Sequence, residues 1–147
     1  MIRKLGFCLA VHSLAASPVA ASPATGGSVH VEWQGLRSHK GVVRLCLTAN
    51  KRYFPDCSKD PASVRLSVPA QQPAAELPAI APGRYALSLL HDENDNGRLD
   101  TFAAIPREGF GFSRNPAIRF GPPRFTDTLF SVGSDAVSQT IRVRYLL

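Results

Sequence analysis

Apolar side chains along this chain recur mostly at every second position, in short runs cut by Gly, Pro, Asn and Asp, and no stretch sustains a helical period. Val29, Val31 and Trp33 alternate with His30, Glu32 and Gln34, which predicts a first strand with one buried face. Val43, Leu45 and Leu47 alternate with Arg44, Cys46 and Thr48 and predict a second. A polar, Pro-containing loop spans Asn50 to Pro61; Val64, Leu66 and Val68 make a third strand, and Glu76 to Ile80 a weak fourth. Pro82-Gly83 sits where a type II turn places Pro and Gly. Tyr85, Leu87 and Leu89 then mark a strong fifth strand. A 33-residue excursion from His91 to Pro123 follows, and Phe125–Val132 and Thr140–Leu146 close the chain as two more strands.

Seven short strands separated by turns predict an all-β, seven-stranded antiparallel β-sandwich, Ig-like in strand number. The long excursion is the anomaly, because structureless loops of that length are uncommon in compact domains. It is rich in Phe, Gly and turn residues rather than in Ser, Lys and Glu, so an ordered, packed excursion is expected.

The N-terminus sets the compartment. Arg3 and Lys4 precede the mostly apolar Leu5–Leu14, and Val19-Ala20-Ala21 offers small residues at a cleavage site, so residues 1–21 read as a signal peptide. The run is too short for a transmembrane segment, which needs about 20 apolar residues. Phe7 before Cys8 argues against a lipoprotein anchor. Residues 22–27 then form a flexible start, and 28–147 a single β-sandwich domain, periplasmic or secreted. Cleavage takes the net charge from +6 to +4, because Arg3 and Lys4 leave. That is mildly basic, and an exported protein of this charge is not expected to meet nucleic acid. In an oxidising compartment the two remaining cysteines, Cys46 and Cys57, are expected to pair as a disulfide pinning the 50–61 loop over the sheet face.

Candidate chemistry lies on the excursion. Asp92, Asn94 and Asn96 are spaced two apart, Gly97 follows, and Asp100 lies three further on, the order of a calcium loop in which the carbonyl of Arg98 also faces the ion. Position twelve is Ala103 rather than the bidentate Glu, so any calcium affinity would be weak, roughly 10⁻⁴ to 10⁻³ M. The same residues also build metal-free Asx turns, and both readings stand at this point. His91 and Asp92, with Glu108, are the only acid–base set on offer for a hydrolase-type enzyme; there is no Gly-x-Ser-x-Gly elbow. Further on, Arg107, Arg114, Arg119 and Arg124 interleave with Phe110, Phe112, Phe120 and Phe125, a mixture suited to an anionic ligand through charge and stacking. The expected ligand surface comprises His91, Arg107, Glu108, Phe110, Phe112 and Arg114, facing an unknown ligand or envelope component. A non-catalytic binding module therefore ranks ahead of an enzyme or a purely structural envelope protein.

Several blocks together resemble a known family: Pro82-Gly83-Arg84-Tyr85-Ala86; His91-Asp92-Glu93-Asn94 through Asn96-Gly97 to Asp100; Ile105-Pro106-Arg107-Glu108-Gly109-Phe110-Gly111-Phe112-Ser113; and Phe120-Gly121-Pro122-Pro123. They look like the bacterial domain-of-unknown-function family numbered 2141. The resemblance implies an exported β-sandwich of the prealbumin-like or carboxypeptidase-regulatory type, and implies no activity. Transthyretin-like hydrolases of that architecture end in a Tyr-Arg-Gly-Ser-like tail, whereas this chain ends Arg144-Tyr145-Leu146-Leu147, which counts against their chemistry here.

Overall fold

The computed structural model describes residues 26–119 and 121–147. The expected signal peptide, residues 22–25 of the expected flexible start, and Phe120 lie outside the described residues. Among the described residues there are ten strands, one 3₁₀ turn and one short helix. In chain order they are β1 (Gly27–Gln34), β2 (Val42–Thr48), the 3₁₀ turn Lys51–Tyr53, β3 (Val64–Pro69), β4 (Ala74–Ile80), β5 (Gly83–Asp92), β6 (Thr101–Phe102), β7 (Ile105–Pro106), β8 (Gly109–Phe112), α1 (Phe125–Thr128), β9 (Phe130–Val132) and β10 (Val137–Arg142).

The strands form two main sheets and a hairpin. One sheet runs β10-β1-β4; the other runs β3-β2-β5-β8, with β9 also on β5; β6 and β7 pair alone. The first sheet is mixed. β4 lies antiparallel to β1, but β10 lies parallel to it, with Val29 opposite Val137 and Trp33 opposite Ile141. The expectation of a wholly antiparallel arrangement is corrected here: the final strand returns beside the first in the same direction, a pairing that only a long crossover permits.

Alternation places the core where the sequence pattern puts it. Val29, Val31, Trp33, Leu77, Ile80 and Ile141 from one sheet meet Val43, Leu45, Leu47, Leu87 and Leu89 from the other in one apolar cluster. Each such side chain withdrawn from water stabilises the fold by about 1.5–3 kcal/mol before chain entropy is subtracted.

Other expectations are corrected by tertiary contacts. Gly27 is already in β1. Gly83 is in β5 and is not among the residues with positive φ, so Pro82-Gly83 does not make the expected type II turn. The left-handed residue is instead Ala79 (φ 56°), in β4 where its register with β1 shifts by one residue, a β-bulge. The excursion begins after Asp92 rather than at His91, and it contains β6, β7 and β8, which raises seven strands to ten. Phe125–Val132 divides into α1 and β9, and the last strand is Val137–Arg142 rather than Thr140–Leu146. Cys46 and Cys57 are bridged, with their Cα atoms 6.1 Å apart, so the loop after β2 is tied to that strand's outer face.

Candidate functional site

The excursion is fastened to the sheet by its own motifs. β8 pairs antiparallel with β5, placing Gly109 opposite His91, Phe110 opposite Leu90 and Phe112 opposite Ser88. The His-Asp-Glu-Asn and Gly-Phe-Gly-Phe-Ser blocks are therefore two halves of one structure. The glycines of β8 have a packing reason. A Cβ on Gly109 would lie 2.5 Å from the Tyr145 ring, and one on Gly111 would lie 2.4 Å from the Ile141 side chain. Beyond β10 the chain caps this edge: Phe110 N–H donates to the Arg144 carbonyl (3.0 Å) and Arg144 N–H to the Phe110 carbonyl (2.8 Å). The Ser113 hydroxyl, wholly buried, accepts from Leu87 N–H (3.0 Å) and donates to the Thr128 carbonyl (2.6 Å).

Asp92 ends β5 and is fully buried. Its Oδ2 accepts from Arg44 Nε (2.7 Å) and Gly97 N–H (2.8 Å), and its Oδ1 from Asn96 N–H (3.0 Å). Burial pushes this carboxyl's pKa up, but Arg44 and the two backbone donors outweigh it and hold the group below the ordinary carboxylate value. Asp95 (φ 56°) and Gly97 (φ 82°) supply the left-handed turns that curl the loop around Asp92. Asn94 Oδ1 accepts from Asn96 N–H (3.2 Å), and Asn96 Oδ1 from Arg98 N–H (3.0 Å). Their amide Nδ2 groups donate to the Asp100 carboxylate at 2.7 and 3.0 Å. These are Asx turns with an amide–carboxylate lock. Among the described residues, no group of three or more His, Cys, Asp or Glu side chains is disposed to hold a metal ion.

Glu108 is buried and closes the loop from the other side. Its Oε1 accepts from Glu93 N–H (3.1 Å) and its Oε2 from Asp100 N–H (3.0 Å). Burial, aided by the charges of Asp92 and Asp100, pushes the Glu108 carboxyl up, against the pull of those two N–H donors. Glu93 is held low, chiefly by Arg37, with Ser38 assisting at 2.7 Å. Arg37 also donates to the Arg107 carbonyl (2.9 Å) and the Leu147 carbonyl (2.8 Å) and lies 4.5 Å from the Tyr145 ring centroid.

His91 is fully buried. Its Nε2 lies 2.9 Å from the Lys40 carbonyl, which can only accept, so Nε2 carries the proton and Nδ1 accepts from the Tyr145 hydroxyl at 2.6 Å. Neither ring nitrogen is left to face a substrate.

The expected ligand surface is dispersed. His91, Glu108 and Phe112 are buried, Phe110 is half-buried, and only Arg107 and Arg114 are exposed. Arg114 donates to the Leu129 carbonyl (3.0 Å) from a left-handed residue (φ 64°). Phe112 packs, with tilted rings, against both Phe110 and Phe54, at centroid distances of 6.0 and 5.5 Å. The crevice beside Phe110 and Phe112 is about 10 Å³, room for one water. Arg44, Arg37, Tyr145 and Lys40, which complete the network, escape sequence reasoning. Arg44 carries the one usable signal, a charge on the outer parity of β2, but it points to Asp92 only once the β2–β5 register (Val42 opposite Asp92) is known.

No curated protein and no solved structure matches this chain. A family model matches residues 31–140, from within β1 to within β10, and takes in every motif block described above. The chain belongs to that family, described as an uncharacterized protein conserved in bacteria (DUF2141).

Proposed function

We propose that this is an exported, non-catalytic binding domain, and that the network between Asp92 and Glu108 is the scaffold of its binding surface rather than a reaction centre. One observation carries the reading: every side-chain nitrogen and oxygen of His91, Asp92 and Glu108 has an internal partner. A general base needs a lone pair within reach of a substrate proton, and this trio is buried as well as internally bonded. The Cys46–Cys57 bridge supports the oxidising compartment that the export reading requires. The two facing sheets with one core between them support a sandwich of the prealbumin type.

The test is turnover of 4-nitrophenyl esters and phosphates by wild type and by His91→Gln. The expected result is no turnover that depends on His91; hydrolysis abolished by that substitution in a folded variant overturns the reading. Recovery from the periplasm or medium with Ser22 as first residue tests export.

A weak calcium site is a second reading, favoured by the convergence of Asn94 and Asn96 on Asp100. Asn94, Asn96, Asp100 and the Arg98 carbonyl would hold the ion while Asp92 holds the Gly97 turn. Calcium would have to displace two amide donors from Asp100, in keeping with an affinity of roughly 10⁻⁴ to 10⁻³ M. Melts in tens of millimolar calcium and in chelator test it, because an ion bound only to the folded state raises the midpoint. Superimposable melts end it.

A further inference from the structure

The end of the excursion borders a cleft that no residue of the Asp92–Glu108 network lines. It has a volume of about 270 Å³ and lies between the 3₁₀ turn after β2 and the segment leading into α1. Lys51 and Phe54 form one wall; Pro122, Pro123, Arg124 and Phe125 form the other. The Phe54 and Phe125 rings, one from each wall, touch edge to face, 5.7 Å between centroids, and Phe54 also packs on Phe112. Both walls are braced. The first is tied to the sheet by Cys57, three residues beyond Phe54, through its bridge to Cys46. In the second, Gly121 takes the left-handed turn (φ 71°) and two prolines follow with restricted backbones.

The lining states a chemistry. Two rings and two prolines offer an apolar slot, no acidic side chain among the described residues lines it, and two cations do. Arg124 is partly satisfied by Asp127 (3.0 Å), whereas Lys51 makes no ion pair among the described residues. The volume sits just below the range of drug-sized sites, about 300–1,000 Å³, which suits one or two fused rings or a short acyl chain. The geometry points to this cleft as the binding site of a small organic anion, an aromatic or short-chain carboxylate or sulfonate whose apolar body lies against the paired Phe54 and Phe125 rings and the two prolines and whose charge meets Lys51 and Arg124. This inference rests on the binding-domain reading and names that domain's site and ligand class.

The test uses the purified, oxidised chain, with 2-naphthoate as probe and 2-naphthalenemethanol as its uncharged counterpart, followed by backbone amide shifts. Saturable shifts confined to residues 51–54 and 121–126 are expected, with the alcohol binding several-fold more weakly. Lys51→Gln with Arg124→Gln removes two exposed charges at little cost to folding and weakens naphthoate about tenfold, the order expected when two partly solvated ion pairs are lost. Reduction of the disulfide, with the fold checked by circular dichroism, also weakens it, because it releases the Lys51–Phe54 wall. Equal affinity for acid and alcohol, or an unaffected double variant, overturns the charge assignment. Shifts elsewhere on the excursion overturn the cleft and leave the binding-domain reading standing. Cleavage of 2-naphthyl acetate that requires His91 overturns the non-catalytic reading instead.

Discussion

Replacing Asp92 with Asn changes one atom in a fully buried carboxylate, and the structure sets what that atom is worth. Oδ2 serves two donors, Arg44 Nε and Gly97 N–H, and Oδ1 serves one, Asn96 N–H. An Asn side chain has one acceptor. Its better orientation keeps the oxygen at the Oδ2 position and turns its own N–H₂ toward Asn96 N–H, so one buried backbone donor loses its partner at about 1–3 kcal/mol. The bond to Arg44 also loses its charge assistance, about another 1 kcal/mol. Arg44 softens the loss, because it retains Asp95 and Ser67 and is 30% exposed. The expected total is about 2–4 kcal/mol, which for a domain of this size lowers Tm by about 10 °C. Asp95→Asn is the control: that side chain is 60% exposed and should cost less than about 1 kcal/mol.

The assay is urea unfolding at pH 7 and again near pH 3. The Asp92 carboxyl is held below its unfolded value, so its stabilisation is present above about pH 4 and is lost as pH falls through the folded pKa. The gap between wild type and Asp92→Asn must therefore narrow in acid. A difference under about 0.5 kcal/mol at pH 7, or a gap that widens in acid, would refute the account of Asp92 as the charged hub of the loop.

Four further outcomes are expected. Ala103 (φ 47°) and Ala104 (φ 64°) turn the β6–β7 hairpin in the left-handed region that Asn-Gly normally fills, so Ala104→Gly should raise stability by about 0.5–1 kcal/mol in thermal melts, where Ala→Gly usually lowers it. Glu108→Gln should cost about 1–3 kcal/mol, because both oxygens accept backbone N–H groups and an amide can serve only one. The Glu108 pKa is raised in the fold, so its contribution is fullest below the unfolded value and falls as pH rises; the variant's deficit should be larger at pH 4 than at pH 7 in denaturant titrations. Reducing the Cys46–Cys57 bridge, whose partners are 11 residues apart, should lower stability by about 3 kcal/mol, read as a shift of the urea midpoint.

The strands with one wet face were legible because alternation records burial directly. Val29, Val31 and Trp33, and Val43, Leu45 and Leu47, lie where the pattern puts them. What escaped the pattern is pairing. A two-residue strand such as Thr101–Phe102 carries no period, and Gly-Phe-Gly-Phe in β8 speaks for an ordered segment without showing it to be a strand, because its glycines find their reason only in Tyr145 and Ile141. The parallel placement of β10 was hidden for the same reason, since nothing in Val137–Arg142 records which way its neighbour runs. In the candidate site the Asx-rich order was visible, whereas the bonds from Glu108 to the Glu93 and Asp100 backbone carry no sequence signal. Arg44, Arg37 and Tyr145, which bind Asp92, Glu93 and His91, lie 48, 56 and 54 residues from those partners, beyond the reach of any local spacing rule.

That division bears on where activity should be sought. The motif blocks that mark this chain as a family member are used up in building: His91, Asp92 and Glu108 in holding the loop, Gly109 and Gly111 in admitting Tyr145 and Ile141, Ser113 in joining β5 to the end of α1. Strict requirements on such residues are requirements of folding, and substitutions there will be read in melts before they are read in binding. The reverse holds at the cleft. Lys51 is exposed, Arg124 is largely so at its side chain, and the Arg124–Asp127 pair is a surface pair, so exchanging them should leave stability within about 1 kcal/mol of wild type. If their double substitution instead unfolds the domain, the cleft is part of the scaffold too. A stable double variant that has lost the anion separates the two roles that the excursion combines.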